Sequence, residues 1–244
     1  MKTPSIHGIS ASAVALCLAC ASPAMASPII LNGGFETGFV NWTRVDQLGS
    51  AGTFHIQSGM LSPVNLDSVP SPPGGTYAAM TDGAGPGSYA LYQDFVVGAS
   101  SATLSFDLFI GNRWDGDFYT ADPATVGLDF STPALNQQAR VDILKSSADP
   151  FSVAASDVLL NLYQTNPGDP LVSGYSAFTF DLSALFAANP GQTLRLRFAE
   201  TDNVSPFQFG VDNVSLESTP VPEPASLALL GTGLAALGAF RRRR

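Results

Sequence analysis

The chain is nearly devoid of cysteine and histidine: Cys17, Cys20, His7 and His55 are all it has. The first three of these fall in what reads as a secretory leader. Lys2 supplies a positive start, Ala11 to Ala21 a short apolar stretch, and Ala24-Met25-Ala26 the small-x-small triplet that signal peptidase cleaves after. Cleavage after Ala26 leaves no cysteine, so no disulfide can stabilise the exported chain. A single histidine excludes a zinc site built of His or Cys ligands. A Ser-His-Asp triad would have to use His55, and neither a Gly-x-Ser-x-Gly elbow nor a glycine-rich phosphate loop is present. Basic residues are also scarce. Five of the 11 lie at the ends, as Lys2 and Arg241 to Arg244, whereas only Glu223 of the 20 acids does. The segment between therefore carries about −13, mostly as aspartate. Such a surface repels nucleic acid and anionic lipid. It suits a soluble extracellular protein and calcium, and solubility alone explains it equally well.

What the chain does have is a tripartite C-terminus. Val221-Pro222-Glu223-Pro224 precedes an apolar run from Ala225 to Phe240, and Arg241, Arg242, Arg243 and Arg244 close the chain. A run of this length makes about 24 Å of helix, short of the ~30 Å hydrocarbon core, but arginine side chains can snorkel to the interface. The positive-inside rule keeps the arginines cytoplasmic and places everything upstream outside. Pro222 and Pro224 hold the preceding chain extended, leaving a strip around Glu223 open to a protease. A plain membrane anchor and a processed sorting tail both fit. The order of the three parts resembles the PEP-CTERM sorting signal, also called the ice-binding protein C-terminal domain. That resemblance implies a Gram-negative bacterium making extracellular polysaccharide. It implies processing by signal peptidase and an exosortase-type membrane protease, and passage from the inner membrane to the cell surface or matrix.

Between leader and tail, apolar residues alternate. Leu104, Phe106, Leu108 and Ile110 do so, as do Val141 and Ile143, Phe178 and Phe180, and Leu194, Leu196 and Phe198. Ala90 to Val97 and Phe54 to Gln57 are further strands, and Val153 to Tyr163 is ambiguous between strand and helix. Gly/Pro/Asn turns separate the runs. A short helix is expected from Leu182 to Ala188, capped by Asp181 and stopped at Asn189-Pro190-Gly191. The expected fold is all-β: a two-sheet antiparallel jelly-roll sandwich with one short helix over residues 27–217. A linker at 218–224, a transmembrane sorting helix at 225–240 and an arginine cluster at 241–244 follow it.

Near the C-terminus the inward phase flips. Phe207, Phe209 and Val211 are odd, Val214 and Leu216 even, which predicts a β-bulge at Asp212-Asn213. The bulge turns Asp212 towards a ligand or merely satisfies a sheet corner. Asn32-Gly33-Gly34-Phe35-Glu36-Thr37-Gly38, with Trp42 soon after, resembles the opening of galactose-binding-like jelly rolls, many of them carbohydrate-binding modules. Phe209-Gly210-Val211-Asp212-Asn213-Val214 resembles their last strand. The resemblance implies one structural Ca2+ held by Glu36 and Asp212, oxygen donors of the kind calcium takes.

Glu200-Thr201-Asp202 begins the acid-x-acid-x-x-acid pattern of laminarinase-like sandwiches, but Ser205 stands at the final acid, so the pair reads as polar residues leaving a strand and no catalysis is expected. The long insertion from Gly111 to Asn136 is the better site candidate. Trp114 and Tyr119 could stack on sugar rings while Asp115 and Asp117 take hydroxyls; alternatively the two aromatics plug the open end of the sandwich. The expectation is an exported, non-catalytic protein, glycan-associated through extracellular polysaccharide or purely structural, with a cryptic hydrolase as the remote alternative.

Overall fold

Alternation at every second residue gives each strand one apolar face, and two sheets bury those faces against each other. The computed structural model describes residues 27–98, 100–113, 116 and 118–220. Ala24, Ala26, Trp114, Asp115, Asp117, Pro222, Glu223, Pro224, the 225–240 run and Arg241 to Arg244 lie outside the described residues. In chain order the strands are β1 (Ser27–Pro28), β2 (Thr43–Asp46), β3 (Gly52–Ser58), β4 (Tyr77–Gly83), β5 (Gly87–Val96), β6 (Ser100–Asn112), β7 (Gln137–Lys145), β8 (Val158–Gln164), β9 (Ser176–Asp181), β10 (Thr193–Asp202) and β11 (Phe207–Pro220). Two short helices are α1 (Pro123–Val126) and α2 (Ser183–Ala188).

One sheet runs β3-β4-β11-β6-β9 with β1 paired to β11, and the other runs β2-β5-β10-β7-β8. Setting β1 to β3 aside, the first, eighth, third and sixth of the remaining strands form one sheet. The second, seventh, fourth and fifth form the other. That order is the jelly roll. Leu104, Phe106, Leu108, Phe209 and Val211 meet Leu91, Phe95, Val141, Ile143, Leu196 and Phe198 in one core. Phe106 meets Phe198 edge to face at 5.4 Å. Each such side chain contributes roughly 1.5–3 kcal/mol by burial.

The bulge falls where the phase flip places it. Asp212 pairs with Asp107 and Ser215 with Ser105, so Asn213 and Val214 together oppose Phe106. Asn213 takes a left-handed φ of 50°. Helix α2 starts one residue later than expected, so its N-cap is Leu182, which makes no side-chain capping bond; Asp181, the expected cap, lies one residue before it and accepts from the Ser183 amide at 2.9 Å. The ambiguous 153–163 stretch resolves into a turn followed by β8. Helix α1 was not foreseen; Asp122 caps it through the Thr125 amide, with Pro123 in its first turn.

Both sheets carry loops on their outer faces. Arg140, Asp142 and Arg197 point outward from β7 and β10, yet all three are buried. Phe151 and Val153, on the connection between β7 and β8, pack over Ala90, Leu128 and Ala199. Arg197 Nη1 donates to the carbonyls of Pro150 and Ser152, both at 2.7 Å, and its Nη2 donates to Asp142 Oδ2. On the other sheet Val69 packs on Met80 and Phe109, and Asp82 Oδ2 accepts from the amides of Val64 and Asn65. Ser27 pairs with Ser218, so the chain enters and leaves the sandwich at the same end.

Candidate functional site

The 32–38 segment is a tight turn in which Asn32 and Phe35 have left-handed φ values of 53° and 56°. Asn32 Nδ2 holds it by donating to the carbonyls of Gly38 and Val40 at 2.9 Å. Gly33 makes the docking possible: a Cβ there would lie 1.8 Å from the Val214 carbonyl oxygen. The turn delivers Glu36 to Gly74-Gly75, where Oε1 accepts from the amides of Thr76 and Tyr77 at 2.8 and 2.9 Å. Asp212, on the outward face of β11 just before the bulge, reaches the same turn. Its Oδ2 accepts from the Gly74 amide at 3.1 Å and its Oδ1 from the Asn213 amide at 2.7 Å. Asn213 Nδ2 donates to Asp107 Oδ2 at 2.7 Å.

Glu36 and Asp212 thus flank one turn, with Asp107 beside them. Burial raises the Asp212 carboxyl, the Asn213 and Gly74 amides pull it back, and the charges of Asp107 and Glu36 raise it again, to about 6. The donor set is entirely oxygen and negatively charged, which fits a hard cation. Among the described residues no three His, Cys, Asp or Glu side chains converge to hold a metal by themselves. A cation here would therefore draw on backbone carbonyls or water as well.

Of the four insertion residues, Tyr119 is the one described, and it is no surface platform. It is buried, its hydroxyl donates to the Pro170 carbonyl at 2.9 Å, and its ring packs 6.2 Å from that of Phe207. A ring buried in this way presents no free face to a sugar. What it supports is the wall of a nearby slot at the edge between β8 and β9. Leu108, Ile110 and Phe178 form an apolar floor there. Tyr163, Pro170, Asp169, Ser173 and Ser176 complete a cavity of about 230 Å3. Tyr163 stands edge to face with Phe178 at 5.2 Å. Burial, then the Asp169 charge, pushes the Tyr163 phenol up to about 12. A second groove runs along Phe39, Trp42, Arg44, Asp46 and Thr53. There the Arg44 guanidinium already covers the Phe39 ring at 4.4 Å, and Trp42 is buried with Nε1 donating to the Asn32 carbonyl at 3.0 Å. Only the β8–β9 slot of these two combines a free aromatic wall with polar groups at its rim.

The Glu200-Thr201-Asp202 reading needs correction. These residues do not leave the strand as solvated polar groups. Glu200 and Asp202 lie on the inward face of β10, in line with Leu196 and Phe198, and both are buried. Burial, then the Asp202 charge, holds Glu200 well above the usual carboxylate range. Burial also brings Asp202 up to about 7 despite the Gly87 amide that it accepts at 2.9 Å.

The sequence did not single out Tyr163, Asp169 or Phe178. Phe178 shows as an alternating strand residue, Asp169 as part of an Asn-Pro-Gly-Asp-Pro turn and Tyr163 as the end of an ambiguous run. Only the meeting of β8 and β9, from different sheets, makes them one surface.

β11 ends at Pro220, where a recognisable C-terminal signal begins. Residues 220–244 match the PEP-CTERM protein-sorting motif. The chain is thereby an exported one with a sorting signal at its C-terminus. No curated relative matches it. Among solved structures it is similar to TmCBM61 in complex with β-1,4-galactotriose, at 12% identity over 78% of this chain and 97% of that one, with a TM-score of 0.42. It is also similar to the K3 cleaved adhesin domain of Lys-gingipain from Porphyromonas gingivalis, at 13% identity over 78% and 98%, with a TM-score of 0.45. A third is the Stig cyclase Fisc from Fischerella sp. TAU, at 17% identity over 81% and 100%, with a TM-score of 0.44. At these values the similarity assigns neither ligand nor activity to this chain.

Proposed function

We propose that this is a surface protein sorted through its C-terminal signal, whose jelly roll is non-catalytic and associates with extracellular polysaccharide. The sorting motif carries the reading. Before processing, the 225–240 run anchors the chain in the inner membrane with Arg241 to Arg244 on the cytoplasmic side. An exosortase-type protease then acts near Pro222-Glu223-Pro224, and the sandwich passes to the cell surface or matrix. Because Ser27 and Ser218 pair, residues 27 and 220 lie at one end of the sandwich and the loops at 84–86 and 203–206 at the other.

The β8–β9 slot supports glycan association. Its aromatic wall suits the C–H face of a pyranose, and Asp169, Ser173 and Ser176 suit its hydroxyls. The opening is sized for one sugar ring rather than a long chain segment. Calcium at Glu36 and Asp212 has a structural part in this reading. It ties the first turn of the sandwich to its last strand and neutralises the carboxylates gathered at Gly74-Gly75.

The test is a glycan-array and polysaccharide-retention assay on the processed chain, in calcium and in chelator. Retention on a defined sugar is expected. Absence of retention in both conditions removes the glycan part and leaves a structural matrix protein.

A further inference from the structure

At the end of the sandwich farthest from the sorting tail, the core stops being apolar. Glu200 of β10 lies directly across from Tyr89 of β5, and Asp202 lies across from Gly87 on one side and Gln137 of β7 on the other. All four side chains that face inward here, Tyr89, Gln137, Glu200 and Asp202, are buried. No donor meets either oxygen of Glu200, Tyr89 Oη or Gln137 Oε1 in full hydrogen-bond geometry, although the Thr81 hydroxyl stands beside Glu200 and the Gly52 backbone beside Tyr89 Oη. The Thr81 hydroxyl is shared: it lies beside Glu200 and 3.3 Å from the Phe207 carbonyl, and it accepts from the Phe209 amide at 2.8 Å. Tyr89 is aimed along β5 over Gly87: a Cβ on Gly87 would lie 1.9 Å from Tyr89 Oη, so glycine keeps this space for the phenol. Gln137 is fixed by its amide nitrogen, which donates to Asn112 Oδ1 and to the Ser205 carbonyl, both at 3.0 Å, leaving its carbonyl oxygen over.

Buried polar groups are nearly always bonded, and each exception calls for an explanation. Here the unbonded atoms are all oxygens, two of them on one carboxylate, and they stand on adjacent strands around a second carboxylate. A carboxyl buried this deeply is compensated either by taking up a proton or by an ion of opposite charge. Two carboxylates and an amide carbonyl are ligands of the kind a hard divalent cation takes, six to eight oxygens in all when it is calcium-sized, and the neutral Tyr89 phenol oxygen stands beside them. Missing ligands have a route in. A cavity of about 130 Å3, lined by Ala84, Gly85, Pro86 and residues 202–206, opens from the surface onto Asp202.

We propose that Glu200, Asp202, Gln137 and Tyr89 hold a calcium-class divalent cation inside the sandwich, distinct from the Glu36/Asp212 position and independent of it. The ion closes the polar end of the core by joining β5, β10 and β7, and water entering by the 84–86/202–206 opening completes its shell.

The test uses the full chain in detergent, stripped with chelator, returned to calcium and desalted, with bound metal counted by inductively coupled plasma mass spectrometry. Glu200→Gln, nearly the same size but neutral, is expected to hold one calcium fewer than the parent chain. Glu36→Gln is expected to leave that calcium in place. Tyr89→Phe removes one ligand oxygen without emptying the core; it should keep the parent's circular dichroism in chelator and weaken this calcium about tenfold in a competition titration. If Glu200→Gln fails to fold, Tyr89→Phe decides alone. Parent-like calcium content in Glu200→Gln together with parent-like affinity in Tyr89→Phe overturns the proposal.

Discussion

Replacing Asp142 with alanine should destabilise the sandwich by about 3–4 kcal/mol. The Asp142 carboxylate accepts from Arg140 Nε at 2.8 Å and Nη2 at 2.7 Å, from Arg197 Nη2, and from Asn161 Nδ2 at 2.9 Å. Removing one partner of a buried pair costs roughly 3–5 kcal/mol, because the remaining charge is left uncompensated. Arg197 keeps two carbonyls, those of Pro150 and Ser152, which places the expected loss towards the lower end. Arg140 keeps no such support, and its Nη1 is already without a partner. For a domain of this size the loss corresponds to a melting temperature about 10 °C lower. Replacing all three charged residues together, Asp142→Leu with Arg140→Met and Arg197→Met, should recover most of it. Acid adds a second readout. Burial alone would raise the Asp142 carboxyl, but the bonds from Arg140 and the charges of Arg197 and Arg140 outweigh it and hold the group below its usual value. Its contribution is therefore complete above about pH 4 and lost as pH falls through the folded pKa. The Asp142→Ala variant should lose less stability than the parent on acidification over that range. Urea denaturation at pH 7 and in steps below pH 4 measures both. A loss under about 1 kcal/mol at pH 7 refutes the reasoning, because the arginines would then reach water and the 146–157 loop would not seal this face.

Three further outcomes follow from the same contacts. Glu36→Gln or Asp212→Asn should lower the melting temperature and abolish the part of the calcium-induced rise due to that position; an unchanged rise in both argues against calcium there. Gly33→Ala forces a Cβ to within 1.8 Å of the Val214 carbonyl oxygen and should destabilise by more than about 2 kcal/mol in thermal unfolding; a neutral result means the first turn does not dock on β11 as described. Replacing Arg241 to Arg244 with neutral residues should disturb membrane orientation and tail processing, read by immunoblot of cell fractions; normal processing contradicts a sorting role for the cluster.

The inward half of the fold was legible because it follows local alternation. Leu104 to Ile110 and Leu194 to Phe198 announce their strands, and the odd-to-even switch after Val211 announces the bulge. The outward half was not, because its burial depends on distant loops. Alternation puts Arg140, Asp142 and Arg197 on the face opposite Val141 and Leu196, and nothing local to their strands shows that Pro150, Phe151 and Ser152 cover that face. Glu200 and Asp202 differ in the opposite way: their phase along β10 is inward, in line with Phe198, while their polarity points to the surface, and in the fold phase prevails. The Glu36/Asp212 pair was visible through its two flanking motifs, and the structure brings both to Gly74-Gly75. The β8–β9 slot was hidden because its residues lie on three segments without a shared period. In the insertion, Tyr119 shows how composition can suggest a sugar platform where packing makes a wedge.

The most direct test of a glycan-associated surface protein is equilibrium retention of the processed chain on the secreted polysaccharide of the cell that makes it, with Tyr163→Ala and Phe178→Ala in parallel. Removing a ring costs little for a sugar bound by hydrogen bonds alone, so the aromatic variants report on stacking in the slot itself. The account predicts retention by the parent chain and at least a tenfold loss in both variants, with circular dichroism unchanged. Equal retention by all three, or none by the parent, contradicts it.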